Sequence, residues 1–158
     1  MIKKKLVCAF LLIAVMLTVA AVPVFASNHT DTYFYDITVP RGTFSPIIDW
    51  RVKENTTPVY LNVISVAYSM VNVNVQAVGV RLPYTEEPIT IENMTYSNGQ
   101  IVNSVSVYEG NDYLIRSLIY ERGYRLASLR FMTGMGHSIM LGEGKWSPDS
   151  IGTYEYAE

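Results

Sequence analysis

Any acid–base, nucleophilic or metal chemistry in this sequence would have to come from two histidines, one cysteine and 14 Asp and Glu. His29 stands between Asn28 and Thr30 in a polar stretch and reads as a solvated residue. His137 lies in GMGHSIM at a turn-to-strand junction, with neither a G-x-S-x-G elbow nor a second ligand histidine beside it. A zinc site needs three or four ligands, so a lone histidine without cysteine partners predicts no metal, and no cofactor motif is present. Glu86 and Glu87 are adjacent and flanked by prolines, which places them in a solvated loop. Glu109, Asp112 and Glu143 are the carboxylates from which folding could assemble a glycoside-hydrolase pair. Asn28, Asn55 and Asn93 each open an N-x-Thr sequon, which matters only in a cell that glycosylates its exports.

The first stretch of chain stands apart from the rest. Met1 to Lys5 carry three lysines, Leu6 to Val22 carry no charge, and Val24-Phe25-Ala26 puts small residues where a signal peptidase cuts. The expectation is a helical secretory signal peptide over 1–26, cleaved between Ala26 and Ser27. The mature protein would then be extracellular, without integral membrane association. Cys8 lies at the start of the apolar run, which does not suit a lipoprotein. Domain limits follow as a polar leader over 27–31, a β-domain over 32–147 and a polar tail over 148–158.

Without that leader the chain has no cysteine and must be held by packing alone, which its size permits. Losing Lys3, Lys4 and Lys5 leaves nine Lys and Arg against 14 Asp and Glu, a balance of about −5. Phosphate recognition needs clustered cations, so nucleic acid is not an expected partner. All 12 tyrosines lie beyond the leader, beside Trp50 and Trp146. Such enrichment suits β-sheet surfaces first and binding faces second.

These residues are carried on alternating runs. Thr32 to Val39 sets Tyr33, Tyr35, Ile37 and Val39 on one face, and Ile47 to Lys53 points Ile48, Trp50 and Val52 inward. Val59, Leu61 and Val63 share a face, as do Val71, Val73, Val75 and Ala77. The apolar set then shifts to Val78, Val80 and Leu82, which predicts a β-bulge near Gly79. Asn98-Gly99 joins the runs Ile89 to Tyr96 and Gln100 to Tyr108 as a type I′ hairpin. Tyr113 to Tyr120 fits a strand better than a helix, although Leu114, Ile115 and Leu118 also satisfy helical spacing. Tyr124 to Met132 and His137 to Trp146 complete the series, and Ser147-Pro148-Asp149-Ser150 stops it. Trp146 is expected as a buried anchor and Asp149 as a turn cap. The fold class is all-β: an antiparallel β-sandwich of about eight or nine short strands.

Tyr33-Phe34-Tyr35-Asp36-Ile37, Trp50-Arg51-Val52-Lys53, Gly110-Asn111-Asp112-Tyr113 and the closing Gly144-Lys145-Trp146-Ser147-Pro148-Asp149-Ser150 resemble small secreted β-proteins of Gram-positive bacteria. Those proteins are filed as a domain of unknown function, and some are similar to lactococcin-like bacteriocins. The resemblance implies export without disulfides, a small β-sandwich and an antagonistic or envelope-associated role. It supplies no catalytic residues. This chain departs from the lactococcin-like pattern in being longer, acidic and less rich in glycine. The leading reading is therefore a secreted non-enzymatic protein, bacteriocin-like or otherwise acting at a cell envelope. The alternative is a carbohydrate- or cell-wall-binding module using exposed aromatics, with Tyr60, Tyr68, Tyr96, Tyr108, Tyr124 and Trp146 as candidates. A flat exposed aromatic row would favour sugar.

Overall fold

The computed structural model describes residues 29–67, 72–81, 90–134 and 137–158. Ala26 and Ser27, with the rest of the expected leader, lie outside them, as do Tyr68, Glu86 and Glu87. No helix forms among the described residues, which fold into twelve strands. They are β1 (Thr32–Val39), β2 (Arg51–Val52), β3 (Val59–Val66), β4 (Val73–Val80), β5 (Glu92–Asn93), β6 (Tyr96–Ser97), β7 (Gln100–Ile101), β8 (Val105–Val107), β9 (Asp112–Ile115), β10 (Leu126–Thr133), β11 (Ile139–Ser147) and β12 (Glu155–Tyr156).

A first sheet runs β1-β11-β3-β9-β12, and a second runs β2-β10-β4-β5 with β8 also on β4. Pairing is antiparallel except for β12, which lies parallel to β9. One core joins the inner faces: Val59, Leu61, Val63, Ile115, Leu141 and Trp146 come from the first sheet, and Val73, Val75, Ala77, Leu129 and Phe131 from the second. The Phe34 and Phe131 rings meet across it at 5.5 Å between centroids. These strands form because valine and leucine at every second position can be buried only by an extended chain.

Several expectations need correction. No bulge interrupts β4, whose pairing with β10 runs unbroken from Leu126↔Val80 to Thr133↔Val73. Val78 and Val80 are instead buried on the strand's opposite face, so the shift in the apolar pattern marks a strand covered on both sides. The phase break sits in the first sheet. In β1 the buried residues are Phe34 and Val39, while Tyr33 and Tyr35 point out. In β3 burial passes from Val63 to Val66, and in β11 from Leu141 to Gly144. All three strands change phase at one level, where Asp36 takes a φ of 51° and β11 shifts register against β3 around Glu143.

Of the run Ile47 to Lys53 only Arg51 and Val52 are paired, and Val52 is exposed while Lys53 is fully buried. Lys53 is turned inward by three acceptors: Thr57 O at 2.6 Å, Pro148 O at 2.6 Å and Asp149 Oδ1 at 2.9 Å. Asn98 and Gly99 have the positive φ values of a type I′ turn, 50° and 83°. Their ladder is only two pairs long, because β5 and β8 leave it to share one edge of β4. Tyr113 to Tyr120 is a strand only through Ile115. The segment over 148–158, read as a polar tail, adds β12 to the sheet and buries Ala157. Its backbone donors and acceptors, absent from any side-chain pattern, determine that docking, as in the Ala157 N–H to Leu114 O bond at 3.0 Å.

Candidate functional site

The outer face of the first sheet gathers the polar and aromatic groups that the core rejects. Register aligns Tyr33, Lys145, Asn62 and Asp112 in one row across β1, β11, β3 and β9. A neighbouring row runs Ser147, Tyr60, Leu114 and Tyr156. Tyr33 and Tyr35 follow each other along the edge strand. They are 52% and 58% exposed, with centroids 6.3 Å apart and planes within 11°.

Beside them lies a charged cluster. The Tyr60 hydroxyl donates to Asp112 Oδ1, which also accepts Asn62 Nδ2 at 2.9 Å. Lys145 Nζ lies 5.3 Å from the centre of the Tyr60 ring and 3.5 Å from Asp31 Oδ2. Burial, joined by the hydrogen bond to Asp112, raises the Tyr60 phenol above its ordinary value. The Tyr60 hydroxyl, and then Asn62, hold the Asp112 carboxyl below its own. Lys145 is pushed up chiefly by its interaction with Tyr60, with Asp31 adding to it. The three therefore stand as phenol, carboxylate and ammonium at neutral pH. Asn62 Oδ1 is buried without a hydrogen-bond donor among the described residues. Such a group is held at a cost.

The chain after Ser147 curls over the end of this face. Tyr154 stacks on Tyr60 at 5.1 Å, and a polar cleft of about 80 Å³ opens between His29, Asp31, Tyr60, Ser150, Ile151 and Tyr154. The cleft is far below the roughly 300–1,000 Å³ of pockets that enclose a whole small molecule. The face is thus an open surface with a notch at one end.

The residues singled out from sequence fall in different places. Tyr60, Tyr124 and Trp146 are buried, Trp146 at 1% exposure with Arg51 5.7 Å from its ring centre. Tyr96 is half-buried in the short hairpin and Tyr108 is exposed near β8. The structure does not bring these together as one aromatic row. Glu109 Oε1 accepts the Val66 N–H at 3.2 Å. Asp112 and Glu143 lie on β9 and β11, strands separated by β3. His137 is exposed ahead of β11, and His29 lines the cleft. Among the described residues no three His, Cys, Asp or Glu cluster as metal ligands.

Sequence reasoning missed Tyr33 and Tyr35 because they alternate in phase with Ile37 and Val39. The signal that could have found them is Phe34, a large apolar side chain that the alternation placed in water. Cations are similarly disguised. Arg51, Arg81, Arg116, Arg125, Arg130 and Lys145 all sit over aromatic rings, and Lys53 is buried against Asp149. Most of the cations thereby already have a partner within the protein.

A family model described as Protein of unknown function (DUF2712) matches residues 22–150, and the chain belongs to that family. No curated protein and no solved structure matches it. The family description carries no activity, and neither a bacteriocin likeness nor a Gram-positive source gains support from it.

Proposed function

We propose that this chain is a secreted, non-enzymatic β-sandwich protein that binds extended carbohydrate at a cell envelope through the outer face of its first sheet. The observation that carries this reading is the exposed, near-parallel pair Tyr33 and Tyr35. Pyranose rings present C–H faces that pack on aromatic rings, and hydroxyls that hydrogen-bond to charged and amide side chains nearby. Lys145, Asp112 and Asn62 lie in the row that Tyr33 begins and supply such groups. The net negative charge and the ring-stacked cations favour a neutral ligand over a polyanion.

Retention on insoluble glycans, followed by calorimetry with soluble oligosaccharides, tests the proposal. Tyr33→Ala/Tyr35→Ala should abolish retention without moving the unfolding midpoint, since both rings already face water. Undiminished binding by that variant would overturn it. Export is tested separately by the intact mass of protein from culture medium, which should begin at Ser27. Growth inhibition of neighbouring cells, the antagonistic role that the resemblance implies, can be scored with the same pair of proteins.

A further inference from the structure

We infer that the cleft between Asp31, Tyr60, Ser150, Ile151 and Tyr154 is a subsite for an acetamido group, so that the ligand of this face is an N-acetylated amino-sugar polymer. The inference rests on the carbohydrate reading above and narrows it to one chemical class. Size is the first argument. A cleft of about 80 Å³ holds several waters but no whole sugar ring, so it accepts a substituent that projects from a chain lying on the open face.

The lining provides the second argument. An acetamido group carries an N–H donor, a carbonyl acceptor and a methyl, and the cleft offers a counterpart to each. Asp31, 3.5 Å from Lys145, is an anionic acceptor for the N–H. Ser150 Oγ accepts the Gly152 N–H at 3.2 Å and carries a hydroxyl proton able to donate to the carbonyl. The methyl can lie against Tyr154 and Ile151, the latter an apolar side chain left 75% exposed at the rim. Position is the third argument. Asp31 directly precedes β1, and Lys145, its ion-pair partner, is the register partner of Tyr33. A chain stacked on Tyr33 and Tyr35 therefore reaches the cleft within about two residues of strand, roughly 7 Å.

Calorimetry with a β-1,4-linked N-acetylglucosamine oligomer and a glucose oligomer of equal length and linkage distinguishes the outcomes. The wild-type protein should prefer the N-acetylated oligomer by roughly tenfold or more, the usual value of a charge-assisted hydrogen bond formed by one ligand and not the other. Tyr154→Ala and Asp31→Asn should each reduce that preference and retain the weaker binding of the glucose oligomer. Tyr33→Ala/Tyr35→Ala should lose both ligands. Equal affinity of the wild type for the two oligomers, or a preference that survives both cleft variants, would overturn the subsite and leave the tyrosine face standing. Absence of binding to either oligomer would overturn the carbohydrate reading and the subsite with it. Unfolding midpoints of the variants, expected within a few degrees of wild type, separate loss of ligand from loss of fold.

Discussion

Two lysine–aspartate clusters, one fully buried and one half-buried, differ in what their neighbours leave unfinished. Around Lys53 and Asp149 every partner is internal. Lys53 donates three hydrogen bonds, and Asp149 Oδ2 accepts the Glu54 N–H at 2.9 Å. Thr57 Oγ1 accepts the Ser150 N–H at 3.1 Å, so the loops over 53–57 and 147–150 close on one another. Burial pulls the Lys53 ammonium down, and Asp149 acts against that pull. Around Lys145 and Asp112 the same residue types stand on a sheet surface, joined through a tyrosine ring and bordered by an open cleft. A cluster that is dry and fully partnered can only hold chain to chain. One that is half wet keeps bonding capacity for another molecule.

The largest effect should come from unpairing the dry cluster. Asp149→Ala leaves a buried ammonium without its counter-ion, at a cost of about 3–5 kcal/mol. Urea unfolding measures it, and Lys53→Met/Asp149→Leu should recover only part of the loss, because it removes the orphaned charge but still unpairs Thr57 O, Pro148 O and the Glu54 N–H. If the single variant unfolds at the wild-type midpoint, Lys53 is solvated. Trp146 is buried in the core, and Trp146→Ala should cost about 3–5 kcal/mol. Its fluorescence, isolated in a Trp50→Phe background, should resist acrylamide; ready quenching would contradict its burial.

Away from both clusters, Gly99→Val forces a β-branched residue to a φ of 83° and should cost roughly 1 kcal/mol or more. Its thermal midpoint tells whether that two-pair hairpin contributes to the fold. The wet cluster should respond least. Lys145→Ala should change stability by less than about 1 kcal/mol, as exposed pairs do. Asp112 has a folded pKa below its unfolded value, so its contribution is complete above the ordinary carboxylate range near 4 and fades as pH falls through the folded value. Asp112→Asn should therefore lower stability modestly at neutral pH and flatten the acid limb of the profile, the two proteins converging as pH falls through the folded value. A loss of the same size at acid pH as at neutral pH would mean that Asp112 is a packing residue first.

The contrast also marks what the sequence could convey. Val73, Val75 and Ala77, or Ala127, Leu129 and Phe131, announce themselves because burial on a strand imposes a period of two. Asn98-Gly99 is equally legible, since few dipeptides tolerate two positive φ values in succession. Trp146 could be assigned to the interior because a large ring ends an apolar run. The change of phase in β1 could not be read, because it depends on three strands bending together and no one of them carries the whole signal. Lys53 reads as a solvated cation until the partner almost a hundred residues away is known. The cleft is invisible for the same reason: His29, Tyr60 and Tyr154 meet only after β12 has docked beside β9.

Asp36 has a further effect that concerns the protein among its own copies. β1 ends the first sheet, and an eight-residue terminal strand with free backbone amides and carbonyls is a template on which another chain could grow. An aspartate held at a φ of 51° in its middle turns the backbone out of line and puts an exposed carboxylate on the rim. Neither half of the strand then offers an uninterrupted edge of more than four residues. A fold held by packing alone is thereby protected against polymerising through its own border.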